Sequence, residues 1–502
     1  MPSSHSINIK KLFFLALVVK ACALLLLWYS LESYSDNSFF RCRGDGHYYL
    51  KRAQNITKYG TFAFHLDENQ KPIPYIGRMP GYEPFIAPVN FISKNKNHQV
   101  VMIGIAQLII SYFASILLAL LFFQFTKKRL LTYLFLGVYS ANTYLLTFDL
   151  MVLSESLGIS TFIAALYFFF KFTRESKQGK HLFISGIFLC WAIFLRPYLA
   201  PFAILLGLYL IYILRKDQQT ASLKILVKYL FIFLCTFSVL DSWWIARNYY
   251  YRGEFVPLVK TDFYAEQGFN EITTSTFDFV RSWGGDIVYW NPPAEITYFF
   301  NDLAGSGLKP TIVNIDDLPS YLFSEQITKE KIVGVRDMIR EHFKEKDKAK
   351  KKQLELATAK EIRALDTQFK AENPFGYHVL ARLRLFKSFV GHNGTYNLNK
   401  SAFHELNFFR KGYKLFYALY YFLTMLLGSI ATLYFLLKRR ESAYVLLIFV
   451  AAYMYALCPF VLRMIEYRYA LLSYPFFLFL FFAMLSYWDW TWLTKRLNQK
   501  AA

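Results

Sequence analysis

Acidic and guanidinium side chains stand at isolated points in a chain otherwise dominated by long apolar runs. Asp45 lies between two glycines in Arg43-Gly44-Asp45-Gly46-His47-Tyr48-Tyr49, Glu155 lies in Leu153-Ser154-Glu155-Ser156-Leu157, and Glu466 lies in Glu466-Tyr467-Arg468-Tyr469. A carboxylate so placed can take a proton from a hydroxyl. Arginines recur in Arg78-Met79-Pro80-Gly81-Tyr82, Leu195-Arg196-Pro197 and Ile245-Ala246-Arg247-Asn248. A guanidinium forks onto two phosphate oxygens at once and stays charged beside lipid. Each residue also has a plain structural explanation. An Asp between glycines suits an Asx-type turn, and Glu155 after Ser154 suits helix capping and dipole compensation. Arginines at helix ends snorkel, and Arg468 has a ready partner in Glu466. Asp149 is a weaker competitor for the place of Glu155. His47 and His65 are read as interfacial side chains, because no cluster of His, Cys and Asp supports a metal site.

The elements that must hold these residues are membrane helices. Of 502 residues, 55% are hydrophobic and 20% aromatic, and the apolar ones gather in unbroken runs rather than in the short periodic patches of a water-soluble domain. Dividing the runs at about 20 residues per crossing of a ~30 Å hydrocarbon core gives about ten crossings. They are 12–31, 100–125, 130–147, 151–172, 182–195, 197–214, 223–243, 413–437, 443–462 and 470–492. No small-residue cleavage site follows the first run, which is therefore read as a retained helix. Lys20 inside that run either snorkels or marks an interior contact. With a cytoplasmic N-terminus, Lys10-Lys11, Lys127-Lys128-Arg129, Arg215-Lys216, Lys438-Arg439-Arg440 and Lys495-Arg496 all fall on the cytoplasmic side. This obeys the positive-inside rule, so the formal charge of +22 is an orientation signal and implies no nucleic-acid partner.

All sizeable polar sequence then falls outside, in loops 32–99 and 244–412. Three regions follow: an N-terminal transmembrane region, 1–243, with its first outer loop; an extracytoplasmic region, 244–412; and a C-terminal transmembrane region, 413–502. The spacing of basic and apolar residues after Asp45 predicts a helix lying along the interface. Within the second loop, 329–370 is dense in Lys, Glu and Ala and predicts a solvated helix or helical pair. The segment 377–389 predicts another interfacial helix, while Trp283 and Trp290 suit the headgroup region. Four of the five cysteines, Cys22, Cys190, Cys235 and Cys458, fall in expected helices, which leaves no disulfide framework. Asn55 and Asn393 head glycosylation sequons on the outer side.

Taken in order from Asp45 to Pro475, these strings, with Gly253-Glu254-Phe255-Val256-Pro257 after Arg247, resemble those of the GT-C glycosyltransferases of the protein O-mannosyltransferase and lipid A aminoarabinose transferase type. The resemblance implies an all-α polytopic membrane protein, a GT-C type helix bundle whose outward-facing site is framed by two long extracytoplasmic loops. It implies a hexosyl or pentosyl transferase that moves a sugar from a polyprenyl-phosphate-linked donor to a hydroxyl of a lipid, glycan or protein, with inversion and without a cofactor or metal. Its setting would be a bacterial inner membrane with both termini cytoplasmic. Carried over residue by residue, it makes Asp45 the base and has Glu155 orient substrate or assist the base. Arg78, Tyr82, Arg196, Arg247, Glu466, Arg468 and Tyr469 become contacts to donor phosphate and substrate, Arg468 foremost. Many relatives have an Asp-Glu pair in the first loop, but here Gly46 follows Asp45, which speaks against a two-carboxylate scheme in that loop. The long insert 329–370 has no motif counterpart. A lipid or polysaccharide transporter or flippase is the alternative, opposed by the placing of polar candidates at run ends and by the lack of an internal repeat.

Overall fold

In lipid every backbone N–H and C=O must bond within its own segment, so apolar runs of this length become helices. The structure is a computed structural model, and it describes residues 7–30, 39–216, 222–260, 269–287, 294–300, 312, 314–391, 394–395, 398 and 401–488. Trp290, Asn393, Lys495, Arg496 and the end of the run 470–492 lie outside the described residues. Among the described residues eight helices are long and apolar enough to cross a membrane: Ile9–Ser30, Lys96–Thr126, Glu155–Ser176, Pro197–Lys216, Leu223–Arg252, Phe408–Arg439, Ser442–Leu462 and Tyr467–Leu485. The chain is an all-α polytopic membrane protein.

Ten expected crossings thus become eight among the described residues, for two local reasons. The run 130–147 is broken into the helices Arg129–Ser140 and Thr143–Asp149, because the Asn142 side chain caps the second by accepting from Leu145 N at 3.1 Å. The run 182–195 forms the 17-residue helix Gly179–Leu195. It stops at Arg196, which leaves the helical region (φ −142°, ψ 89°), as the clash with a following proline favours. Conversely, the run 223–243 continues to Arg252, so Arg247 sits inside a helix rather than beyond one.

The chain divides into two compact units, the first being Met1–Thr261, Gly394–Ala451 and Tyr474–Ala502, the second Asp262–Asn393 and Ala452–Ser473. The first unit contains α1 (Ile9–Ser30), α2 (Asp45–Tyr59), α3 (Lys96–Thr126), α4 (Arg129–Ser140), α5 (Thr143–Asp149), α6 (Glu155–Lys171) and α7 (Gly179–Leu195). Helix α3 packs on α1, α4 and α6, and α6 packs on α7. The break between α4 and α5 leaves carbonyls without helical partners. Tyr420 and Tyr417, from the helix Phe408–Tyr434, donate to Val138 O at 2.7 Å and Ala141 O at 2.8 Å. After α2 a short antiparallel hairpin pairs β1 (Ala63–Leu66) with β2 (Pro72–Pro74). Asp67 closes its turn by accepting from Asn69 N at 2.9 Å and Lys71 N at 2.7 Å.

The second unit contains the charged insert, which is a helical pair, Lys329–Lys344 and Lys348–Glu372. The pair is solvated on one side only. Ile332, Ile339, Ile362 and Phe369 are buried against Ile272, Phe279 and Trp283 in a core of their own. The expected helix at 377–389 is present as Ala381–Gly391, and its Arg384 bonds Glu295 at 2.5 Å.

Candidate functional site

Asp45 is the first residue of α2, where the helix dipole favours a negative charge. The helix forms because Tyr49, Leu50 and Ala53 recur on one face, and that face is buried. It is held from behind by the segment that precedes α6. Arg41 and Met151 form a parallel bridge, in which Arg41 N donates to Leu150 O and Val152 N to Arg41 O, both at 2.9 Å. The approach is close enough that a Cβ on Gly46 would stand 2.7 Å from Val152 O. Beside Asp45, Cys42 Sγ lies 3.6 Å and Lys96 Nζ 3.3 Å from His47 Nδ1. Burial pushes the Cys42 thiol up to about 11, against the opposing pull of the Lys96 charge.

Glu155 opens α6 and is ion-paired with Arg196, and both side chains are buried. Ser154 at the cap position makes no side-chain capping bond; its hydroxyl lies 3.1 Å from the Tyr49 hydroxyl. Arg78 Nη1 donates to the same Tyr49 oxygen at 3.4 Å. Tyr82 is 1% exposed, and its hydroxyl donates to Gln107 Oε1 at 2.7 Å, while Gln107 Nε2 donates to Asp149 O at 2.9 Å and Met151 O at 2.7 Å. Burial raises the Tyr82 phenol, with Tyr49 and Glu155 adding to the rise, so it donates at any ordinary pH. The turn that carries Tyr82 is seated against the end of α7, where Trp191 Nε1 donates to Gly81 O at 3.1 Å. A Cβ on Gly81 would fall 2.2 Å from the Phe194 carbonyl.

Five expected site residues, Asp45, Arg78, Tyr82, Glu155 and Arg196, are thereby joined through α2 and the 149–155 segment. Arg247 belongs to the same unit but is committed to backbone. Its Nη1 donates to Tyr75 O and its Nη2 to Phe62 O, each at 3.0 Å, and its guanidinium lies 5.1 Å from the Trp244 ring. Its geometry ties the hairpin to the long helix Leu223–Arg252. Glu466, Arg468 and Tyr469 belong to the second unit. There Arg468 Nε lies 3.3 Å from Glu466 Oε1 and Tyr469 N donates to Glu466 O at 2.9 Å, so this trio forms one local turn.

Sequence reasoning missed two participants, Arg52 and Glu83. Arg52 Nε donates to Glu83 Oε1 at 2.6 Å in a buried pair, with the guanidinium 5.0 Å from the Tyr49 ring and 5.2 Å from the Tyr75 ring. The expected interfacial helix thus turns one of its basic residues inward. The signal was in the sequence: Arg52 falls three residues after Tyr49, on the apolar face of α2. Among the described residues no group of three His, Cys, Asp or Glu side chains is arranged to hold a metal ion. No protein-family model matches the chain, and no curated protein matches its sequence.

Proposed function

We propose that the protein is a membrane glycosyltransferase of GT-C type that moves a sugar from a polyprenyl-phosphate donor to an acceptor hydroxyl on the outer face of a bacterial inner membrane. The observation that carries this reading is the pair of helix-opening carboxylates. Asp45 and Glu155 each follow the Arg41–Met151 bridge by four residues, with one guanidinium on Glu155 and another within reach of Tyr49. In the proposed step Asp45 takes the proton of the acceptor hydroxyl as its oxygen attacks the anomeric carbon. The bond from that carbon to the phosphate oxygen breaks, its electron pair leaving with the polyprenyl phosphate. Attack opposite the leaving group inverts the anomeric centre, as in single-displacement glycoside chemistry. Phosphate already leaves well, so the chain needs guanidinium groups to stabilise its charge rather than a general acid. Arg78, which donates to the Tyr49 hydroxyl, is the candidate for that role. Arg196 holds Glu155 in place, which suits Glu155 to orienting the acceptor.

The test is single-turnover transfer by purified Asp45→Asn protein from a radiolabelled donor, with donor binding measured in parallel. A loss of about 10²- to 10⁴-fold in transfer with binding retained is expected; near-normal transfer removes Asp45 as the base. A transporter is the second reading, and the buried Lys20–Asp149 pair favours it, since ionisable groups inside a membrane bundle commonly mark a solute path. Mass spectrometry of surface glycolipids and glycoproteins with and without the gene separates the two. An unchanged profile with altered solute flux supports transport.

A further inference from the structure

Lys20 occupies the middle of α1, eleven residues from Ile9 and ten from Ser30. At 1.5 Å per residue it is about 15 Å from either end, too far for a lysine to snorkel to water. Its Nζ turns inward instead, donating to Ser111 Oγ at 2.8 Å and standing 3.7 Å from Asp149 Oδ2. Ser111 Oγ donates to Asp149 Oδ2 at 2.5 Å, and Ser156 Oγ donates to Asp149 Oδ1. The lysine and aspartate side chains are 10% and 5% exposed. Beside them, at the break between α4 and α5, lies a cavity of about 30 Å³ whose lining includes Lys20, Ser140, Asn142, Asp149 and Ser156. Ser140 Oγ and Asn142 Nδ2, from two of the lining residues, are fully buried and have no hydrogen-bond partner among the described residues. Asn142 Oδ1 accepts from Leu145 N at 3.1 Å.

We infer that Lys20 and Asp149, linked through Ser111 and Ser156, form a buried charge strap that ties α1 to the 149–156 segment and so positions Glu155. Both are positioning residues. Apolar side chains of similar size would fill the same space at no desolvation cost, so a buried pair stabilises less than it specifies: it accepts one geometry and rejects slipped ones. The geometry it fixes is that of a segment whose next residues meet Arg41, bond Gln107 and open α6 with Glu155. The role toward Glu155 rests on the transfer reading above. The strap itself does not.

The test uses the full chain in nanodiscs, with Cys42 as the sole cysteine, in the variants Lys20→Met, Asp149→Leu, the double variant, Lys20→Arg and Ser111→Ala. Two readouts, the thermal midpoint and the rate of Cys42 maleimide labelling, are independent of enzymatic activity. Each of Lys20→Met and Asp149→Leu should lower the midpoint, and the double variant should recover most of the loss, the non-additivity expected of coupled neighbours. Cys42 labelling should rise about fivefold or more in the double variant and stay within about twofold of wild type in Lys20→Arg, because the bridge segment loosens only when the strap is lost. Additive midpoints, or wild-type labelling in the double variant, overturn the strap. If Lys20→Met fails to fold, Ser111→Ala and Lys20→Arg carry the test, with labelling faster in the first and near wild type in the second. In the transfer assay the double variant should lose about tenfold or more in kcat with donor KM little changed; an unchanged kcat overturns the positioning of Glu155. Absence of transfer in the wild type fails the functional reading and leaves the midpoint and labelling results standing.

Discussion

Arg41 meets Met151 in a parallel bridge, and the two segments run forward from it, four residues on one side to Asp45 and four on the other to Glu155. Each acid is the first residue of a helix. A bridge of two backbone bonds thus joins the two segments that lead into these acids, which are 110 residues apart in sequence. Their mutual position depends on how closely α2 is seated on the 150–152 backbone.

Gly46→Ala tests that seating. Helix propensity alone favours alanine by roughly 0.5–1 kcal/mol, but the new Cβ would stand 2.7 Å from the Val152 carbonyl oxygen, a backbone atom that cannot swing away. Overpacking of this kind costs about 1–3 kcal/mol, so the contact outweighs the propensity. Gly46→Ala should lower the thermal midpoint and reduce transfer. A raised midpoint would mean that α2 is not seated on Val152.

The Glu155–Arg196 pair is buried on both sides, so removing one charge takes a close opposite charge away from the other in a low-dielectric setting. Arg196→Ala or Glu155→Leu should cost about 3–5 kcal/mol, whereas the double variant Glu155→Leu/Arg196→Met should approach neutral stability. Denaturation of the four proteins in detergent measures this. If the double variant is stable yet inactive, the pair serves the reaction rather than the fold.

Arg468 should be needed for donor use. Arg468→Ala should depress initial rates at limiting donor, and Arg468→Lys should restore them only in part, because an ammonium keeps the charge but not the two-point fork. Wild-type kinetics for Arg468→Ala would reduce this arginine to a structural partner of Glu466, from which its Nε lies 3.3 Å.

Orientation underlies all of these. Lys71, Lys128 and Arg439 are exposed, so a single cysteine at each is open to reagent from its own side of the membrane. Positive-inside bias predicts that an impermeant maleimide added to intact cells labels Lys71→Cys and spares Lys128→Cys and Arg439→Cys. The opposite pattern would move the proposed site to the cytoplasmic face.

That this chain is a multi-pass helical protein, and roughly where most of its crossings fall, was legible in the residues alone, because partition into lipid and helical periodicity are local properties; the break at Asn142 and the extension of the 223–243 helix to Arg252 were not. The Lys329–Glu372 helical pair and the helix that follows Asp45 were legible for the same reason. What stayed hidden were the partnerships. Lys20 was visible as an anomaly in an apolar run, but nothing near it in sequence names Asp149 as its ion partner. Arg52 looked like part of a headgroup-facing surface until Glu83, thirty-one residues on, was seen to meet it in the interior. Arg247 looked like a phosphate ligand by its motif, and only the fold brought the carbonyls of Phe62 and Tyr75 to its guanidinium. Likewise the break at Asn142 became possible only because Tyr417 and Tyr420, far along the chain, arrive to satisfy the freed carbonyls. A run of residues fixes whether its segment prefers lipid and how it coils. Which face meets which partner depends on distant helices packing together, and that decision belongs to the tertiary structure.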